Sequence, residues 1–369
     1  MSEEMLELFT QQYIEAQPEN APVQFLWHGG EPTLLGVEYF EKAVQFQKKY
    51  ANGKVIENSL QTNGTLINED WCRFFHNNHF LIGISIDGPE KLHDQFRKTK
   101  GNAPTFHKVM HAIELFKKYR VEFNTLSVVN KYNAEYPVEI YRFLKSVGST
   151  YMQFLPVVER VSNDKQENGL ELVPNSYMQN ATVTDWSVQP LQYGKFMSAI
   201  FDEWVKKDVG RYYVQLFDVT LANWLNVPSG LCMFDKTCGS AGAVERNGDV
   251  YSCDHFVFPE YKIGNIQESS LKQNMNHPVQ QLFGQNKFTR LPKMCLQCEH
   301  LNKCWGECPK KRFLKTPEGE YGLNYLCEGY KHFFSHVTPA MDFMANELLN
   351  KRPPANIMNR KEFITIAKT

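Results

Sequence analysis

The uneven placement of nine cysteines constrains this 369-residue chain more than any other feature. Cys72 stands alone in the first 231 residues, and Cys232, Cys238, Cys253, Cys295, Cys298, Cys304, Cys308 and Cys327 crowd into the next stretch. In a reducing compartment such density predicts metal binding before it predicts disulfides. The composition changes near Val227-Pro228-Ser229-Gly230, which marks a boundary between a cysteine-poor and a cysteine-rich part. Two parts also suit the length, at roughly 150 residues per domain.

The cysteine-poor part alternates two periods. Residues 3–16 carry Met5, Leu6, Phe9, Tyr13 and Ile14 at helical spacing. Val23–Trp27 reads as a strand ending at His28-Gly29-Gly30-Glu31-Pro32, and a helix with Tyr39, Phe40, Ala43 and Val44 on one face follows. Further strands are expected at 55–61, Phe80–Ile86, Val121–Val129 and Tyr151–Val157, with helices near 68–77, 104–119 and 134–146. Strands alternating with helices of this length predict βα units around a parallel sheet, whose chemistry sits at the C-terminal strand ends. Gly29-Gly30-Glu31, Thr62-Asn63-Gly64 and Ser85 with Asp87-Gly88 occupy those ends. Each is a common turn sequence taken singly; three on successive strand ends point to a site. Cys72, after Trp71 in a predicted helix, is expected to be a small buried hydrophobe. Periodicity does not choose between an open sheet and a barrel.

In the cysteine-rich part, Cys295-x2-Cys298-x5-Cys304-x3-Cys308 is a tight thiolate array, with Cys327 downstream. Cys232-x5-Cys238 precedes a predicted hairpin, Ala243–Tyr251, turning at Asn247-Gly248, and then Cys253. Eight cysteines make two sets of four, and four thiolates suit either tetrahedral zinc or an iron–sulfur cluster. The irregular spacing favours clusters over paired zinc knuckles. Asp254, beside a candidate ligand, is either a turn acid or a general base. Residues 160–190 read as a polar surface loop, 338–350 as a helix, and the chain from Pro353 as a weakly ordered tail. Forty Lys and Arg against forty-one Asp and Glu leave no basic excess for nucleic acid. No apolar run reaches the ~20 residues of a membrane span, and the acidic start carries no secretion signal, so a cytoplasmic location is expected.

These motifs together resemble an anaerobic sulfatase-maturating enzyme, a radical S-adenosylmethionine (SAM) enzyme with a SPASM-type C-terminal extension. The resemblance rests on Trp27–Thr33, Leu60–Ile67, Gly83–Pro89, Gly248–Asp254 and the eight cysteines. It implies an α/β fold: a partial (β/α) barrel over 1–227 lacking its first strand, a SPASM domain with its β-hairpin over 228–335, and a C-terminal helix and tail over 336–369. Gly29, Gly30, Glu31, Asn63, Ser85 and Arg97 would bind SAM. Cys232, Cys238, Cys253 and Cys308 would hold one auxiliary [4Fe–4S] cluster, and Cys295, Cys298, Cys304 and Cys327 the other. Asp254 would be the catalytic base. The implied reaction oxidises a Cys or Ser in a sulfatase C/S-x-P-x-R motif to formylglycine, begun by a 5′-deoxyadenosyl radical and fed electrons by a flavodoxin or ferredoxin. A related SPASM enzyme forming thioether or carbon–carbon crosslinks shares the scaffold, and a catalytically silent, metal-stabilised binding protein is the alternative from another class.

One departure is plain. The C-x3-C-x2-C motif, whose thiolates hold the third, SAM-cleaving cluster of that family, does not occur in these residues. The expectation is a start site placed too late, and a polypeptide of these 369 residues is expected to yield no 5′-deoxyadenosine from SAM.

Overall fold

The computed structural model describes residues 1–163, 172–173 and 181–360. The expected alternation is present: α1 Glu3–Ala16, β1 Val23–Trp27, α2 Val37–Tyr50, β2 Ile56–Thr62, α3 Glu69–Asn77, β3 Leu81–Ser85, α4 Phe106–Tyr119, β4 Phe123–Val129, α5 Pro137–Ser146 and β5 Tyr151–Pro156. Local chemistry sets the ends. The Asn68 side chain accepts from the Trp71 amide at 3.0 Å to cap α3. Arg120 closes α4 in a left-handed conformation, and Pro137 opens α5 where its missing N–H is harmless.

Chain contacts group these residues into two units that do not follow sequence order. The first comprises Met1–Ile86, His93–Leu126 and Gly239–Gly284; the second Asp87–Leu92, Ser127–Cys238 and Gln285–Thr369.

In the first unit, β1, β2, β3 and the start of β4 pair in parallel, with Val23 opposite Ile56, Ser59 opposite Leu81 and Ile82 opposite Phe123. Phe40, Trp71, Phe75, Phe80 and Phe116 form a chain of edge-on and tilted rings beneath the helices. Parallel pairing aligns the C-terminal ends of β1, β2 and β3, so their three turn motifs emerge on one rim. The predicted hairpin is there too: Ala243–Val244 pairs antiparallel with Asp249–Tyr251, and Lys262–Asn265 adds a third strand. Val250, Ile266 and Leu271 pack on Met5, Leu8, Phe9 and Tyr13 of α1. Gln12 locks that packing, donating to the Ile266 carbonyl at 2.9 Å and accepting from the Leu271 amide at 2.8 Å.

In the second unit, β5 pairs in parallel with Tyr213–Val214. Asp208, 3 % exposed, accepts from Lys145 Nζ at 2.6 Å and from the Tyr141 hydroxyl at 2.8 Å, tying α5 to the end of α6, Pro190–Lys207. The helix α7, Cys327–Leu349, lies along α6, with Phe201, Phe217 and Phe333 interlocked.

Three expectations change. The helix begins at Cys327, eleven residues before 338, because Phe333, Phe334, Val337 and Met341 bury a continuous stripe that outweighs Pro339 in its interior. Arg160–Ser162 and Ala181–Val183 form a two-stranded ribbon within the expected loop; residues 164–171 and 174–180 lie outside the described residues. The tail from Pro353 contains an ordered turn, Pro354–Asn359, with Ile357 fully buried and Asn356 bonded to Glu347 at 2.5 Å. Residues 361–369 lie outside the described residues.

Candidate active site and cluster ligands

At the β1 end, Gly29 turns with φ +134°, a conformation that L side chains rarely adopt. A Cβ on Gly29 or Gly30 would meet nothing within 4 Å, so this backbone faces open space. Glu31 follows, and its carboxylate points into the protein. It accepts from the Thr33 amide at 3.1 Å, the Thr33 hydroxyl at 2.6 Å, the Thr62 hydroxyl at 2.7 Å and the Asn63 amide at 2.8 Å. One ionised side chain therefore brackets the ends of β1 and β2 with charge-assisted bonds. Asn63 accepts from the Thr65 amide and hydroxyl at 2.9 and 2.7 Å, which fixes its turn. Ser85, at the β3 end, accepts from Gln61 Nε2 at 3.0 Å. Arg97 sits in the loop after β3, where its carbonyl accepts from the Thr105 hydroxyl at 2.6 Å. The rim at Gly29 and Gly30 is backbone open to a ligand.

Asp254 belongs to the same unit. Its Oδ1 accepts from the Cys253 thiol at 3.1 Å. Burial pushes its carboxyl up, but the charge of His255, the Cys253 bond, the charge of His28 and the His255 backbone together hold it below the usual range. His28, immediately before Gly29, thus lies within electrostatic reach of the candidate base. Gln280, 2 % exposed, donates to the carbonyls of Gly239 and Ser252 at 2.7 and 3.0 Å, bracing the residues that follow Cys238 and precede Cys253.

The second unit holds the other seven late cysteines. Cys295, Cys298, Cys304 and Cys327 line one cavity walled by Met294, Leu301, Tyr330 and Phe334. Burial, then the neighbouring Cys327 and Cys298, pushes the Cys295 thiol up to about 11; burial, then Cys327, pushes Cys304 up to about 12. Cys308 is raised to about 12 by burial, then by Glu307, with Cys232 contributing; Cys238 is raised by burial and by Cys232. The thiols thus sort by proximity into one quartet and a trio of Cys232, Cys238 and Cys308. Protonated when empty, such groups become thiolates on binding metal. A soft four-sulfur donor set in an apolar cavity fits an iron–sulfur cube. Among the described residues no three Cys, His, Asp or Glu side chains converge closely enough for a single metal ion. A cube asks for less convergence than zinc, because each thiolate binds a different iron. Cys72 is fully buried in α3, as a small hydrophobe.

Sequence reasoning missed two residues, His28 and Gln280. Neither lies in a spacing pattern; only His28, abutting Gly29, had a signal that could have been used.

Comparison with known proteins agrees with this geometry. Residues 6–144 match the Radical SAM superfamily and 237–299 match an iron–sulfur cluster-binding domain, SPASM. A serine-type anaerobic sulfatase-maturating enzyme of Bacteroides thetaiotaomicron is 50 % identical over 97 % of this chain and 86 % of its own. A cysteine-type enzyme of Clostridium perfringens is 34 % identical over 94 % and 90 %. The solved structure of native anSMEcpe with bound AdoMet superposes with a TM-score of 0.82 at 33 % identity, covering 94 % of this chain and 90 % of that one. The same protein with bound AdoMet and the Cp18Cys peptide gives 0.83 at 33 % identity, over 94 % and 92 %. With its parallel βα sheet, SPASM region and end-to-end likeness to both types, the chain belongs to the anaerobic sulfatase-maturating enzymes of the radical SAM superfamily.

Proposed function

We propose that this protein oxidises a Ser or Cys in a sulfatase C/S-x-P-x-R motif to formylglycine. The observation that carries the reading is Asp254, bonded to Cys253 at 3.1 Å, in the same unit as the open Gly29-Gly30 segment. When bound, SAM with its reducing cluster supplies a one-electron hydrogen acceptor, and two auxiliary [4Fe–4S] clusters supply an electron sink. The rest falls to the chain. Gly29 and Gly30 leave their backbone free for the methionine end of SAM, and Asn63, Ser85 and Arg97 bind its remaining polar groups. Glu31 acts as a positioning residue, since its carboxylate is occupied by Thr33, Thr62 and Asn63. Once the substrate β-carbon has lost a hydrogen atom, Asp254 takes the hydroxyl or thiol proton and one further electron leaves. An aldehyde results from serine; the thioaldehyde from cysteine gives the same aldehyde after water displaces sulfide.

Cys232, Cys238, Cys253 and Cys308 would hold the first auxiliary cluster and Cys295, Cys298, Cys304 and Cys327 the second. The SAM-binding barrel would take residues 1–227 and the auxiliary-cluster domain 228–335, with the rest of α7 and the chain that follows it over 336–369. A flavodoxin or ferredoxin supplies electrons, and the work is done in the cytoplasm, where such donors and free thiols coexist. Among the described residues no helix is long and apolar enough to cross a membrane.

The test compares two polypeptides incubated anaerobically with SAM, a reductant and serine or cysteine peptides bearing the motif. The 369 residues alone should produce no 5′-deoxyadenosine above background. The same residues preceded by a C-x3-C-x2-C segment should convert a serine peptide with loss of two hydrogens and no crosslink. A crosslinked product from the fully iron-loaded longer chain would overturn the reading in favour of another SPASM chemistry.

A further inference from the structure

The two cysteine groups of the second unit meet at the turn Cys304-Trp305-Gly306-Glu307-Cys308, whose end residues belong one to the quartet and one to the trio. Its three central residues are consecutively left-handed, with φ of 47°, 69° and 52°. Two of them are not glycine, and such a run does not persist unaided. Arg312 holds it: Nε donates to the Gly306 carbonyl at 2.8 Å, and Nη2 to those of Trp305 and Glu307 at 2.6 and 2.7 Å. Its Nη1 donates to the Lys287 carbonyl. Lys287 itself is 1 % exposed, and its ammonium donates to the Asp235 carbonyl. The one buried carboxylate nearby, Glu307, is answered by Lys311 at 3.0 Å and Asn324 at 2.7 Å.

Among the described residues, then, neither Lys287 nor Arg312 is ion-paired with a carboxylate; both donate to backbone carbonyls. Buried charge without a counter-charge is expensive. The groups within electrostatic reach of these cations are each other, the Glu307 carboxylate already paired with Lys311, and thiols. Lys287 is in electrostatic reach of Cys238 and Cys304, and Arg312 of Cys304, Cys308 and Cys295. Each cation therefore addresses one thiol or more of both groups.

We propose that Lys287 and Arg312 are the counter-charge of the two auxiliary clusters, a shared cationic seat that raises their reduction potentials so that they can accept the substrate's electron. The inference rests on the cluster reading above. A cube bound by four thiolates carries net negative charge that grows on reduction, so a fixed cation favours the reduced form. The two cations act by different routes: Lys287 through charge, Arg312 through charge and through the carbonyl clamp that sets the spacing of Cys304 and Cys308. Both are positioning residues.

The experiment is an anaerobic potentiometric titration of the reconstituted protein, followed by electron paramagnetic resonance, with iron and sulfide counted in each sample. Lys287→Gln, which can still donate to the Asp235 carbonyl, and Lys287→Met should load iron normally. At a fixed poise each should lower the reduced-to-oxidised ratio of the clusters at least about tenfold, or about 59 mV for one electron. Lys287→Arg should restore the wild-type potential. Arg312→Lys should keep the potential and lose cluster occupancy. Wild-type potentials in fully loaded Lys287→Gln would overturn the proposal. Zinc in place of iron in the wild-type protein would instead sink the cluster reading beneath it.

Discussion

The rim of the first unit and the cavity of the second solve opposite problems. On the proposed function the rim binds through backbone: two glycines with nothing within 4 Å of a Cβ, followed by a carboxylate that faces inward. In the cavity, binding capacity is side chain: four thiols among Tyr330, Phe334 and Leu301, with burial holding Cys304 near 12. A ligand consumed at every turnover needs a site that stays formed and open when empty. A resident cofactor can be given a site that is electrostatically uncomfortable when empty, because it is not meant to be empty. On the proposed function, the rim serves what is exchanged and the cavity what is kept.

The contrast is broken most severely at the cavity. Cys304→Ser should lose the iron of one cluster and, with it, the binding energy that the four half-buried thiolates supply. The melting temperature of the reconstituted protein should fall by roughly 10 °C, on the scale of about 2–4 °C per kcal/mol for a unit of 150–250 residues. Melting wild-type and variant after chelation should abolish the gap; a gap that survives chelation would show that the cysteine acts as packing alone.

Asp208→Asn tests the iron-independent framework of the same unit. Removing the charge leaves half-buried Lys145 without its partner and weakens the Tyr141 bond. Breaking a fully buried pair costs about 3–5 kcal/mol, and this partly exposed one should cost about 1–3 kcal/mol. Chemical denaturation should show this loss equally with and without iron, and dependence on iron would contradict the division drawn here.

At the rim the loss should be functional before it is structural. Glu31→Gln removes one of two anionic oxygens that between them accept four bonds, each worth about 1.5–3 kcal/mol when the acceptor is charged. SAM affinity, measured by equilibrium dialysis, should fall roughly tenfold to a hundredfold with iron content unchanged. An equal loss of iron would mean that rim and cavity are not separable.

The smallest effect concerns pH. His336, on α7, is raised above its usual value by its 2.7 Å bond to Asp202, against the pull of burial and with help from the Asp202 charge. A raised histidine stabilises the fold fully below its unfolded value of about 6.5, and that contribution disappears as pH rises through the folded value. The stability difference between wild type and His336→Gln should therefore be largest near pH 6 and vanish toward pH 8. It should not exceed about 1 kcal/mol, as for partly exposed ion pairs. A difference that grows with pH would contradict the assignment.

How much of this was legible in sequence follows the same division. β1 begins and ends where Val23 and Trp27 predicted, and the hairpin turns at Asn247-Gly248, because periodicity and turn chemistry are local signals. The cysteines announce themselves by density. The inward use of Glu31 was not legible: a glutamate after two glycines looks like a ligand, and only tertiary placement of Thr62 and Asn63 turns it into a bracket. Lys287 and Arg312 were invisible for the same reason, since nothing in Asn286-Lys287-Phe288 says that an ammonium will be buried. The early start of α7 was not legible either: the apolar stripe from Phe333 to Met341 carries the helix through Pro339, with Thr338 bonded back to the Phe334 carbonyl at 2.7 Å.

Mössbauer spectroscopy with metal counting, on these 369 residues reconstituted anaerobically with iron and sulfide in the presence of competing zinc, decides whether the late thiols hold two cubes. About eight irons per chain, as two sets of four in two [4Fe–4S] environments, are expected. One or two zinc ions per chain, with no cube signal, would contradict the cluster reading.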